Sequence, residues 1–244
     1  MNPKMPNPDR LNIEPTSFLP RDIPFSPEDF VENARKLVEL FERGPDPTDR
    51  IGGWHGTSLE AIERSLIHGA VPGSAIQHLD ASAGHLFFFP NSFQGDSPPA
   101  PYEYFGRSGA EHYAKTNAQT AFVLHILGLE FGDARLQDDI RSLILEYGDE
   151  DTLAEVSNRL MRRGLNIHEV QVLVKQSFAR KGVVISLSAE ALEQMNVSDG
   201  DVPGEDRKLF VPEGLPLSAL VRLEALGAAE SRYFEILRGL VSAR

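Results

Sequence analysis

IGGWHGTSLEAIERSLIHG, residues 51–69, is the stretch on which the fold turns. Its opening, IGGWHG, reads as a brief strand, and the remainder reads as a helix. Thr57 and Glu60 have the spacing of a capping box, in which a hydroxyl and a carboxylate three residues on satisfy each other's free main-chain N–H groups. Leu59, Ile62 and Leu66 recur at helical spacing as a buried stripe, and Gly69 is the residue that lets a helix stop in the left-handed region. A strand passing directly into a capped helix presents its end residue, His55, beside Gly56. Without a Cβ, Gly56 lets a ligand approach its main-chain N–H and C=O, a donor–acceptor pair that suits an amide. A turn in which His55 merely caps or packs is the plain alternative.

Upstream of this stretch, Ser26 caps a helix running to about Arg43, with Phe30, Ala34, Leu37, Val38 and Phe41 on one face. Gly44, Pro45 and Pro47 end it. Residues 1–27 carry Pro3, Pro6, Pro8, Pro15, Pro20, Pro24 and Pro27, too dense for a helix or central strand, and form an extended arm. Downstream, LFFF (86–89) is a strand, 90–107 a long loop, about 108–118 a short helix, and AFVLHILGL (121–129) another strand. The stretch 133–179 then breaks the rhythm with two or three amphipathic helices joined near Gly148 and Gly164. Between Glu130 and Val170 there are ten acids and five bases, so this acidic segment reads as an insertion or a small helical subdomain. GVVISLS (182–188) is apolar enough to be buried on both faces. RKLFV (207–211) is a further strand, and the chain closes with PLSALVRLEALG and the helix AAESRYFEILRGLV. Strands and helices at irregular spacing predict an α+β fold, since a doubly wound sheet needs a regular alternation.

Composition narrows the function. The chain has 244 residues, a length that suits a single domain of residues 28–244 carrying the insertion. There is no cysteine, which excludes disulfides, thiol nucleophiles and iron–sulfur clusters. The net charge of −12 disfavours nucleic acid as a partner. No apolar run of spanning length and no secretory h-region is present, so the expectation is a soluble, cytoplasmic protein with no membrane partner. The phosphate-loop, dinucleotide-fold and nucleophile-elbow motifs are absent. HEVQV at 168–172 lacks the second histidine of a zinc-protease helix, and the seven histidines are scattered, so no metal is expected.

Four blocks in order carry a resemblance. HGTSLEAIERSLIHGAVPG resembles the start of the ADP-ribosyltransferase catalytic domain, in the branch of the poly(ADP-ribose) polymerases and diphtheria toxin. GHLFFF looks like that family's second strand, with Phe87 at the place of its tyrosine. SGAEHYA is similar to the helix whose tyrosine closes the nicotinamide pocket, here Tyr113. KGVVISLSAEAL and GEDRKLFVPEGLPLSAL resemble the closing strands. The resemblance spans roughly residues 51–226, the insertion at about 133–179 excepted.

It implies a split mixed β-sheet core and an NAD-dependent transferase that attaches ADP-ribose to a macromolecule, a protein rather than a nucleic acid. NAD is the co-substrate. His55 would hold the adenine-side ribose, with Gly56 and Thr57 beside it, and Phe87 and Tyr113 would sandwich the nicotinamide. Glu205 would be the catalytic carboxylate, with Asp206 and Glu213 as neighbouring alternatives. The chain departs from the family pattern where Phe87 lacks a hydroxyl. It departs again at Ala110, where many members place a serine that binds the carboxamide; Ser108 is the nearest substitute. Two other readings stay open: an inactive NAD- or partner-binding module of the same fold, and an RNA 2′-phosphotransferase. The latter needs arginines on a phosphate, and only Arg50 and Arg64 lie near WHGTS.

Overall fold

Ser26 opens the first described element by accepting a hydrogen bond from the main-chain N–H of Asp29, and Pro27 takes a first-turn position where its missing N–H is harmless. The structure, a computed structural model, describes residues 26–72, 85–91, 106–129, 134–199, 207–211 and 214–242. Helix α1 (Pro27–Glu42) therefore takes in the last proline of the expected arm, whose other residues lie almost wholly outside the described ones. Strand β1 (Ile51–Thr57) runs into α2 (Leu59–His68) as the sequence suggests, but the cap differs. Ser58, not Thr57, accepts from the N–H of Ala61, because Thr57 is still extended and paired with Val183. The neighbouring strand decides which of two equivalent hydroxyls caps. Gly69 ends α2 at φ 64°.

A two-stranded ribbon joins β2 (Ala70–Val71) to β7 (Leu215–Pro216). The main sheet contains β1, β3 (His85–Pro90), β4 (Val183–Ser188), β5 (Val197–Asp199), β6 (Arg207–Phe210) and β8 (Leu220–Ala225), in the order β5-β6-β3-β1-β4-β8. Among the described residues every pairing in it is antiparallel, so the sheet is not the mixed one that the resemblance implies. With its helices this is an α+β fold. Between β4 and β5 lies the short α7 (Ala189–Glu193), and α8 (Ala228–Ser242) closes the chain. The buried character of 183–187 follows from its place between β1 and β8.

The elements expected around residue 120 also differ. The short helix at 108–118 and the strand at 121–129 are a single helix, α3 (Gly106–Ile126). Its alanines Ala110, Ala114, Ala118 and Ala121 keep helical spacing and are buried, which lets the helix lie close to the sheet. Val123 and Leu124, apolar enough to suggest a strand, are instead buried against the helices that follow. Tertiary packing has overridden a local β-like composition. The helix stops where Gly128 turns to φ 66° and the N–H of Leu129 bonds the carbonyl of Leu124.

The segment after it forms α4 (Ala134–Leu145), α5 (Glu150–Arg162) and α6 (Ile167–Ser177), with Gly148 and Gly164 in left-handed turns between them. Two main apolar clusters result. The larger lies on one face of the sheet, where Leu37, Ile62, Leu86, Ile185, Leu223 and Phe234 meet; Phe41 of α1 stacks on Phe234 of α8 at 4.4 Å. The second unites the C-terminal half of α3 with α4, α5 and α6 around Ile140, Leu160 and Val170.

Candidate functional site

The sheet opens at Gly56. Strands β1 and β3 pair at Gly53–Pro90 and Trp54–Phe89, and the N–H of Asn91 reaches the carbonyl of Gly52. Continued by the two-residue period, this register makes Gly56 and Phe87 the next pair due to exchange main-chain hydrogen bonds. That pair does not form. The carbonyl of Phe87 instead accepts from Nδ1 of His55 at 2.6 Å, and the carbonyl of Gly56 accepts from Nδ2 of Asn117 at 3.2 Å. Two side chains have replaced the ladder, while β1 stays paired to β4 throughout, from Gly53–Leu187 to Thr57–Val183. The main-chain edge of Gly56 thus faces a seam between strands.

On one side of the seam lies α3. A Cβ on Gly56 would meet the carbonyl oxygen of Ala110 at 1.9 Å and the N–H nitrogen of Ala114 at 2.5 Å, so only glycine admits this helix. Phe89 is buried with Ala110, Ala114 and Val184, and the ring of Tyr113 meets it edge-on at 5.3 Å. Phe87 shares the Phe89 face by strand alternation and is partly buried. Asn117 follows Tyr113 by one helical turn and is held from behind, its Oδ1 accepting from Nη2 of Arg141 on α4 at 3.4 Å.

His55 projects from the opposite face, since it alternates with Gly56 along β1. The Phe87 carbonyl can only accept, so Nδ1 carries the proton and Nε2 is left as an acceptor. Burial drives the His55 pKa down to about 4, against a smaller upward effect of that carbonyl, so the ring is neutral at pH 7. Thr57 is buried on this same face. On α2, burial raises Glu60 and takes Glu63 to about 7, the latter helped by the charge of Glu60. The hydroxyl of Tyr233, on α8, is buried with no hydrogen-bond partner, and burial together with Glu63 and Glu60 raises its pKa.

Of the residues singled out in the sequence, His55, Gly56 and Phe87 meet at the β1–β3 seam. Tyr113 instead packs on Phe89 on the face of the sheet opposite to His55, so the single cleft that the resemblance implies for His55 and Tyr113 is not formed by their side chains. Ser108 does not join them: two residues before Ala110, it is turned about 200° around the helix and is exposed. Glu205, Asp206 and Glu213 lie outside the described residues. Arg50 is exposed and bonded to Glu193 at 3.2 Å, and Arg64, on α2, lies in the field of Glu60. Among the described residues no cluster of three or more His, Asp or Glu is placed to hold a metal, and no helix is long and apolar enough to cross a membrane.

Phe89, Asn117 and Arg141 were not legible as site residues. Phe89 sits two places from the aromatic expected there. Asn117 is 61 residues from its partner Gly56, and nothing local marks an asparagine inside an alanine-rich helix. No protein-family model, no curated protein and no solved structure matches the chain.

Proposed function

We propose that this protein is an NAD-dependent ADP-ribosyltransferase of the His-Tyr-Glu type, built on a split sheet and acting on a protein acceptor. The observation that carries the reading is the missing Gly56–Phe87 pair: the ladder ends one step before a glycine whose main-chain N–H and C=O suit a carboxamide. Nicotinamide docks there, with Tyr113 and Phe87 supplying aromatic faces; each such ring contact contributes about 0.5–1.5 kcal/mol beyond buried area. For the adenine-side ribose to donate a hydroxyl hydrogen bond to Nε2 of His55, which is neutral and on the other face, NAD has to thread the open seam between β1 and β3. The nicotinamide–ribose bond breaks with its electron pair leaving on nicotinamide. The carboxylate of Glu205 stabilises the oxocarbenium charge at the anomeric carbon, and an acceptor nucleophile attacks that carbon and loses its proton.

The test is incubation with NAD, following nicotinamide release and NAD binding side by side. Release that grows when acceptor protein is added supports the transferase. The Gly56 carbonyl is already engaged by Asn117 and Phe87 has no hydroxyl, and these favour a second reading, an inactive NAD-binding module. Binding without release supports that module. Absence of both at millimolar NAD overturns the nicotinamide site altogether.

A further inference from the structure

Asn117 presents to Gly56 the same functional group that nicotinamide would bring. Its side chain is a primary carboxamide, its NH2 donates to the Gly56 carbonyl, and its oxygen takes a hydrogen bond from Arg141. The two contacts agree on the orientation of the amide: a carbonyl needs the donor end and a guanidinium needs the acceptor end. Ala110 and Ala114, seated against Gly56, fix α3 at this depth, so Asn117 reaches Gly56 from a rigid support. Arg141 belongs to α4, and its Nε is buried without a hydrogen-bond partner, so the Asn117 contact is one of few polar ties this guanidinium makes.

We infer that Asn117 is an internal occupant of the carboxamide subsite, and that Arg141 of the helical segment sets how firmly it stays there. The inference rests on the nicotinamide reading of the Gly56 seam and adds its regulation. A ligand carboxamide entering the seam competes with the Asn117 amide for the Gly56 carbonyl. The displaced asparagine then needs Arg141 or water as its partner. Movement of α4 relative to α3, as on docking an acceptor, loosens Arg141 and lowers the cost of displacement. A ligand with a carboxylate in place of the amide gains nothing, because it has no N–H for that carbonyl.

The experiment titrates benzamide, nicotinamide and benzoate into the full-length protein by calorimetry, using wild type, Asn117→Ala, Asn117→Asp and Arg141→Met. Circular dichroism and melting temperature establish that each variant is folded. Asn117→Ala is expected to bind benzamide and nicotinamide roughly tenfold tighter, the order set by one hydrogen bond that no longer has to be broken. Asn117→Asp keeps the volume and the Arg141 contact but withdraws the donor from Gly56, so it too should tighten both amides. Arg141→Met should give a smaller gain with Asn117 still present. Benzoate should bind none of them. If wild type binds the amides and both Asn117 variants bind them equally or more weakly, Asn117 is not a competitor and the inference is overturned. If neither wild type nor any folded variant binds either amide, the nicotinamide reading itself falls and takes the gate with it.

Discussion

At the scale of single residues, His55 and Glu63 are shifted in opposite senses by the same cause, burial. The folded His55 pKa lies below its ordinary 6.5, so the unfolded chain holds the extra proton between about pH 6.5 and 4. Its contribution to stability is present above pH 6.5 and is lost as pH falls toward 4. Glu63 is raised from 4.5 to about 7, so the folded state holds the proton in that window. Its contribution is present below pH 4.5 and is lost as pH rises through 7. Glu63→Gln should therefore stabilise the protein by on the order of 2 kcal/mol at pH 8 and by little at pH 4.5, as read by urea unfolding at both values. Equal destabilisation at both would mean that Glu63 is ionised and paired. The catalytic reading meets its own single-residue test at Glu205. Glu205→Gln retains size but removes the charge, so NAD affinity should hold while nicotinamide release falls about 10²-fold or more. Unchanged release would pass the role to Asp206 or Glu213; loss of affinity alone would make Glu205 a binding group.

At the scale of elements, the contact of β1 with α3 is the joint on which the site depends. Gly56→Ala drives a Cβ to within 1.9 Å of a helical carbonyl, which unlike a side-chain tip cannot swing aside. The cost should be about 3 kcal/mol or more, at or beyond the upper end for overpacking. Gly44, with open space around it, is the control, and Gly44→Ala should leave the melting temperature nearly unchanged. Equal mildness of the two substitutions would show that α3 is not seated on β1. The same joint marks where the sequence stops being readable. Features set by neighbours along the chain were legible: the Ser26 cap, the left-handed stops at Gly69, Gly148 and Gly164, and the doubly buried strand 183–187. Two features set by a remote partner were not. The cap of α2 moved from Thr57 to Ser58 because β4 holds Thr57 extended, and 121–126 became helix because α4 and α6 bury Val123 and Leu124. The candidate site divides the same way. HGT was visible as a strand end, whereas the Asn117–Gly56 bond appears only once α3 is one helix crossing β1.

At the scale of the whole molecule, α3 belongs to two bodies. Its first half packs on the sheet through Ala110 and Ala114, and its second half supplies Val123 and Leu124 to the cluster of α4, α5 and α6. The sheet-side cluster of α1, α2 and α8 contains no residue of that helical segment. Stability should therefore be divided, with the helical segment able to open while the sheet stays closed. Leu160 is fully buried and belongs to the cluster of the helices, not to that of the sheet. Leu160→Ala should cost about 2–5 kcal/mol, the range for a leucine lost from a close-packed interior. In native-state hydrogen exchange that loss should fall on the amides of 134–177 and the second half of α3. Amides of β4, between β1 and β8, should keep their protection. Arg141 lies in the segment that opens, so the same variant should also weaken the hold on Asn117 and raise benzamide affinity without any change at the seam itself. If β4 amides lose protection as much as those of α5, the chain unfolds as one unit. The helical segment is then part of the core rather than a body free to move against it.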